Sequence, residues 1–271
     1  MLRQSAIPGA ALAVIFLSSM LGFIVDRLIF HPEPGADLRP EQVGVTGEDA
    51  FIATGDGVLI HSFFLPHAGA TRAILFLHGN AGNASHRLPN AAELMKLGNH
   101  VLLLDYRGYG LSQGRPDEAG LYLDARAGLA HLTDAIGIPE DRIVVFGRSL
   151  GGAVAVDLVQ DRKVAGLILE STFPSIAALA GRMLLGPFAR ALSDRFDAET
   201  KIARLRAPLL FFHGDRDEVV AYDLGKQLFR AAPDPKAFET IRGAGHNDTL
   251  EVGGAAYFER IRAFLEEVAP R

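Results

Sequence analysis

The stretch RIVVFGRSLGGAVAVDL, residues 142 to 158, sets one serine, Ser149, among three glycines where an apolar run gives way to an Ala/Val-rich one. Gly147-Arg148-Ser149-Leu150-Gly151 fits G-x-S-x-G, the nucleophile elbow, in a strand–turn–helix context. The bend lifts Ser149 Oγ above a sheet edge, next to a helix amino terminus whose free N–H groups favour developing negative charge. A dinucleotide turn of the type G-x-G-x-x-G does not fit, because Ser149 occupies the second glycine position. A serine hydroxyl attacks a carbonyl at neutral pH only when a base takes its proton. The base expected is a histidine held by a carboxylate, in the chain order Ser…Asp/Glu…His. Downstream, LLFFHGDRDEVV carries Asp215 and Asp217, and IRGAGHNDTL carries His246, the one histidine of nine that follows both aspartates. Glu170, ending the run GLILE, is a further candidate acid. The chemistry these residues could perform is acyl transfer.

Such residues need strands to carry them. Phe51–Thr54 and Val58–Leu65 read as a hairpin around Gly55-Asp56-Gly57. Short apolar runs at 72–77 and 101–104 read as strands buried on both faces, and 143–146, 164–169, 208–212 and 237–241 complete the strands. Helical patterns separate them: one ending near Leu97-Gly98, then 116–136, a helix from about Leu150, 222–231 and 252–268. This alternation predicts an α/β fold, a mostly parallel sheet of about eight strands with helices on both faces. Ligands then collect at the carboxyl ends of the strands. Residues 171–206 are too apolar for a solvated loop and read as a short helical cap, in which Phe173, Ile176, Leu179, Met183, Leu184 and Phe188 would either receive an acyl chain or pack on the sheet.

LHGNAGN, DYRGYGLSQGRP, GRSLGG, ESTF, HGDRDEVV and GAGHND, in this order, resemble the α/β-hydrolase superfamily. Within it they are similar to the small membrane-associated serine hydrolases, a branch with protein depalmitoylases and enzymes acting on lysophospholipids or monoacylglycerols. The resemblance spans roughly Phe51 to Val268 and implies the α/β-hydrolase fold. Its H-G-x-x-D pattern assigns the acid to Asp217. It also implies an oxyanion hole of two backbone N–H groups, Leu150 and, in His78-Gly79-Asn80, Asn80. Asn83 reads as a turn or helix cap. DYRGYGLS would form a site wall or a turn packed by Tyr106 and Tyr109. His100 to Asp105 spells the acyltransferase pattern H-x-x-x-x-D, but the two residues flank the strand VLLL and the match reads as chance.

The totals agree with an enzyme of small molecules. With 271 residues the chain can build one α/β domain with a sizeable core. A net charge of -5 with no basic block argues against nucleic acid. The absence of cysteine excludes disulfides and cysteine nucleophiles. No cofactor and no metal is implied. From Ile7 to Val25 nothing is charged. As a helix this run would reach roughly 28 Å, close to the hydrocarbon thickness of a bilayer. The expected organisation is a membrane anchor or signal segment at 1–30, a linker or lightly held arm at 31–50 and a catalytic domain at 51–271. A short amino-terminal tail favours an extracytoplasmic catalytic domain.

Together these features predict a serine hydrolase that cleaves ester or thioester bonds of acyl, lipid-like substrates through Ser149, Asp217 and His246. A serine peptidase of the prolyl-oligopeptidase type shares such a domain but usually adds a gating domain. A non-catalytic binding protein on the same fold would not need the three residues that this chain keeps.

Overall fold

The apolar runs become the strands of one eight-stranded sheet. The computed structural model describes residues 26–27, 29–182 and 195–270. In chain order the strands are β1 (Glu48–Ala53), β2 (Leu59–Leu65), β3 (Ala73–Leu77), β4 (His100–Leu104), β5 (Ile143–Arg148), β6 (Gly166–Glu170), β7 (Leu209–Gly214) and β8 (Lys236–Ile241). They lie side by side as β8-β7-β6-β5-β3-β4-β2-β1. Only β2 runs against the others, pairing antiparallel with both β1 and β4. Every other neighbouring pair is parallel.

The helices are α1 (Leu88–Lys96), α2 (Glu118–Ala130), α3 (Leu150–Val159), α4 (Ile176–Arg182), α5 (Ala198–Ile202), α6 (Tyr222–Ala231) and α7 (Thr249–Val268). Successive strand residues point to opposite faces, so each central strand feeds two cores. Leu75, Leu77 and Val145 pack with Leu121, Val154 and Leu224 of α2, α3 and α6. Ile74, Phe76 and Val144 pack with Leu88, Leu94, Ile261 and Phe264 of α1 and α7. Both faces are therefore covered, as the unbroken apolar strands require.

This topology fixes where a ligand can enter. After β3 the chain moves to β4 on one side, and after β4 it returns to β5 on the other side of β3. The loops leaving β3 and β5 diverge, which opens a crevice at their carboxyl ends.

Three expectations are sharpened. First, β1 begins at Glu48, inside the stretch read as a linker. Its first two residues are polar and exposed, and Asp49 is held by Arg39 Nη1 and His61 Nε2, each at 2.7 Å. Second, the rest of that stretch is a held arm. His31–Pro32 pairs in parallel with Ala81–Gly82, and Pro40–Val43 forms a 3-10 turn whose Pro40 is buried. Third, Phe173 and Ile176 of the cap are buried in the main core; Met183, Leu184 and Phe188 lie outside the described residues. So does the apolar run 7–25. Among the described residues no helix is long and apolar enough to cross a membrane.

Candidate active site

A single residue separates β5 from α3. Ser149 makes the turn with φ 53° and ψ −118°, a left-handed conformation for a residue with a side chain. Such geometry typically costs about 1–3 kcal/mol and persists only where neighbours over-determine it. Here the Ser149 N–H donates to the Glu170 carbonyl at 2.8 Å. The Ser149 carbonyl accepts from the Gly152 N–H at 2.9 Å and from Thr172 Oγ1 at 2.8 Å. The glycines let backbones close on the turn. A Cβ on Gly147 would lie 2.5 Å from the Gly151 carbonyl oxygen, and one on Gly151 would lie 2.1 Å from that of Leu77. Leu150 opens α3, so its N–H has no partner inside the helix.

Ser149 Oγ points at a histidine. It lies 3.1 Å from His246 Nε2, and His246 Nδ1 lies 2.8 Å from Asp217 Oδ2. The three residues come from the loops after β5, β7 and β8 and are all buried. Asp217 Oδ1 accepts from the N–H groups of Val219 at 2.9 Å and Val220 at 2.7 Å, so the carboxylate cannot swing away. Burial alone would raise its pKa. Hydrogen bonds from His213 and His246, the charge of His246 and the Val220 N–H outweigh burial and hold the carboxyl well below its usual range. His213 Nε2 donates to the Val220 carbonyl at 2.8 Å and lies 3.3 Å from Asp217 Oδ2. The sequence reading passed over this second histidine, although the H-G-x-x-D pattern contains it.

The other two acids are engaged elsewhere. Asp215 Oδ1 accepts from the Gly243 N–H at 2.6 Å and shapes the turn before the histidine loop. Glu170 is buried against Arg148, with Nε to Oε1 at 2.8 Å. It also accepts from Thr249 Oγ1 at 2.9 Å and Tyr257 Oη at 2.5 Å. Arg148 then donates from Nη2 to the His246 carbonyl at 2.5 Å and to Asn247 Oδ1 at 3.3 Å. This buried pair joins the serine turn to the histidine loop.

The loop after β3 closes the site. A Cβ on Gly79 would lie 3.3 Å from Ser149 Cβ, so the backbone entering Asn80 packs directly on the serine. His78 Nδ1 donates to the Gly79 carbonyl at 2.6 Å, and Tyr106 Oη donates to the His78 carbonyl at 3.1 Å. Tyr109 Oη donates to Asn80 Oδ1 at 3.0 Å. Tyr106 and Tyr109 are fully buried, so DYRGYG backs the loop. Asn83 caps the 3-10 turn Ala84–Arg87 by accepting from the Ser85 N–H at 2.9 Å. His100 and Asp105 sit at opposite ends of β4. Asp105 Oδ1 accepts from the Ala84 N–H at 2.7 Å, whereas His100 serves the His67–Ala70 turn.

Comparison with known proteins agrees with this fold. Residues 68–197 match the family described as "Serine aminopeptidase, S33". The chain is 35% identical over 293 residues to the alpha/beta hydrolase domain-containing protein WAV2 of Arabidopsis thaliana, covering 97% of this chain and 92% of that one. This chain belongs to the α/β-hydrolase superfamily. This α/β-hydrolase is also 35% identical to the protein bem46 of Schizosaccharomyces pombe, over 84% of its own length and 79% of that chain. An esterase of Pyrococcus furiosus shares the fold, with a TM-score of 0.74 at 21% identity over 89% of this chain and 98% of that one. A Mycobacterium tuberculosis puromycin-hydrolyzing peptidase shares it too, with a TM-score of 0.70 at 20% identity over 86% of this chain and 41% of that one.

Two outcomes are expected of this hydrolase. Gly151→Ala forces a methyl group into the Leu77 carbonyl. It should destabilise the protein by about 1–3 kcal/mol in urea unfolding, as overpacking does. Asp217 binds a proton less readily folded than unfolded, so its stabilisation is present above the ordinary carboxylate pKa and is lost as pH falls below it. From about pH 4 to pH 2, wild-type unfolding free energy should therefore fall more steeply than that of Asp217→Asn.

Proposed function

We propose that this α/β-hydrolase is a serine hydrolase that cleaves ester or thioester bonds of acyl substrates through an acyl-enzyme. The observation that carries the reading is the continuous line from Ser149 Oγ through the His246 ring to Asp217, at 3.1 and 2.8 Å. It stands at the crevice where the strand order reverses.

His246 Nε2 takes the proton of Ser149 as Oγ attacks the carbonyl carbon. Asp217 fixes the proton on Nδ1 and stabilises the imidazolium that forms. The N–H groups of Asn80 and Leu150 receive the oxyanion. The carbon–oxygen or carbon–sulfur bond then breaks, and His246 passes its proton to the leaving group. Water, deprotonated by His246, attacks the acyl-enzyme and releases the carboxylic acid and free Ser149. No step calls for a metal or a cofactor.

The lipid-like character of the substrate rests on the amino-terminal apolar run. As a single-pass anchor over 7–25, it would hold the strand-end crevice near a bilayer, with the catalytic domain on the extracytoplasmic side. The partners proposed are thus an acyl ester or thioester and the membrane itself. The family description and one structural neighbour name peptidases, so cleavage of an aminoacyl amide is the competing outcome.

A fluorophosphonate probe should label the wild-type chain and not Ser149→Ala; equal labelling of both would remove Ser149 as nucleophile. A panel of p-nitrophenyl esters, acyl-thioesters and aminoacyl amides should show ester or thioester turnover, and exclusive amide turnover would favour the peptidase. On the best of these substrates Asp217→Asn should lower kcat by roughly 10⁴, and near-normal turnover would contradict the role of Asp217.

A further inference from the structure

The amino-terminal arm reaches the oxyanion loop itself. The Asn80 carboxamide is held on both sides: its Nδ2 donates to the Ile29 carbonyl, and its Oδ1 accepts from the His31 N–H at 3.3 Å and from Tyr109 Oη at 3.0 Å. Two of these three partners are backbone groups of the arm. Just beyond, the Glu33 N–H donates to the Gly82 carbonyl at 3.1 Å, extending the parallel pairing of His31–Pro32 with Ala81–Gly82. The loop thus gains an extra strand.

The arm is also seated at its other end. Phe30 is buried, 4% exposed, with its ring edge-on to Phe196 at 6.0 Å. Phe196 is fully buried at φ 49°, a conformation a bulky residue adopts only under constraint. Asp26, the first described residue, pairs with Arg195 beside it. The arm therefore runs from the carboxyl end of the cap to the loop whose N–H is to meet the oxyanion, and it starts where the apolar run Ile7–Val25 stops.

We propose that residues 29–37 are a strap that positions the oxyanion loop, so that turnover depends on how the segment after the apolar run is seated. The proposal rests on the hydrolase reading above. Asn80 acts here twice: its backbone N–H faces the substrate, and its side chain is the handle by which the strap aligns that N–H. Phe30 and His31 touch no reacting atom and are positioning residues. An oxyanion donor stabilises the transition state only at the right distance and angle, and small misplacements carry large rate penalties. Tyr106 and Tyr109 back the loop from the β4 side, and the strap supplies the other two partners of the Asn80 carboxamide between Gly79 and Gly82. A pull or a displacement at the amino terminus is thereby transmitted to the rate of the chemical step rather than to substrate affinity.

The test uses the full-length chain with Phe30→Ala, Phe30→Leu and Asn80→Ala. Steady-state kinetics on a p-nitrophenyl ester are measured beside amide hydrogen exchange across residues 79–83 and thermal unfolding. Phe30→Ala and Asn80→Ala should lower kcat by about 10- to 100-fold with KM changed by less than about twofold, the pattern of an interaction lost in the transition state. Exchange across 79–83 should rise in both, and Phe30→Leu, which refills the contact with Phe196, should return kcat and exchange toward wild type. Unchanged exchange in the loop, or a lower Tm with wild-type kcat, would overturn the strap while leaving the hydrolase reading intact. A wild-type chain that turns over no ester, thioester or amide would instead remove the hydrolase reading, and the strap's role in catalysis with it.

Discussion

The turn at Ser149 is the constraint on which the site depends. A strand that becomes a helix within one residue must place that residue in a left-handed conformation, and Ser149 does so at φ 53°. Its side chain is thereby raised above the sheet instead of lying in it. The strain is balanced by hydrogen bonds to Glu170 and Thr172 and by glycines that let α3 close on β3. The same closure leaves the Leu150 N–H without a helical partner beside the serine. The proposed nucleophile and the proposed oxyanion donor are thus two consequences of one backbone bend.

A buried ion pair extends that bend to the loop carrying His246. Arg148 and Glu170 are each almost wholly excluded from water. Such a pair is tolerated because its remaining valences are met, on Glu170 by Thr249 and Tyr257, and on Arg148 by the His246 carbonyl and Asn247. Burying ions is expensive, and a pair of this kind adds little net stability over an apolar substitute. What it contributes is register. The loop carrying His246 is 98 residues from Arg148 in sequence and is tied to the residue next to Ser149. On the far side, Asp217 is fixed by two backbone N–H groups and His213, so the imidazole is oriented from both ends.

Much of this was legible in the sequence, for local reasons. The unbroken apolar runs could only be strands buried on both faces, and β3, β5 and β6 are that. The glycines around Ser149 could be read because close backbone approach leaves no other residue type. The H-G-x-x-D pattern of the resemblance singled out Asp217, but residue type and strand position alone did not separate it from Asp215 and Glu170, since each follows or ends a buried strand. The difference lies in partners across the sheet: Glu170 faces Arg148 in the register of β5 and β6, and Asp215 turns back to Gly243. The arm at 29–37 was illegible for a similar reason. Its polar, proline-containing sequence has no period, and its order comes from pairing with a loop about 50 residues away. The apolar cap residues gave an ambiguous signal, and burial of Phe173 and Ile176 shows packing to be the role of that part.

The most direct measurement of acyl transfer at this site is peptide mapping of the full-length chain after inactivation with a small organophosphate. Trypsin cleaves after Arg148 and Arg162, so the serine heads its own fragment, residues 149–162. One phosphoryl group per chain on Ser149, formed in step with loss of hydrolytic activity, is the expected result. An adduct on another residue, or inactivation with fragment 149–162 unmodified, would contradict it.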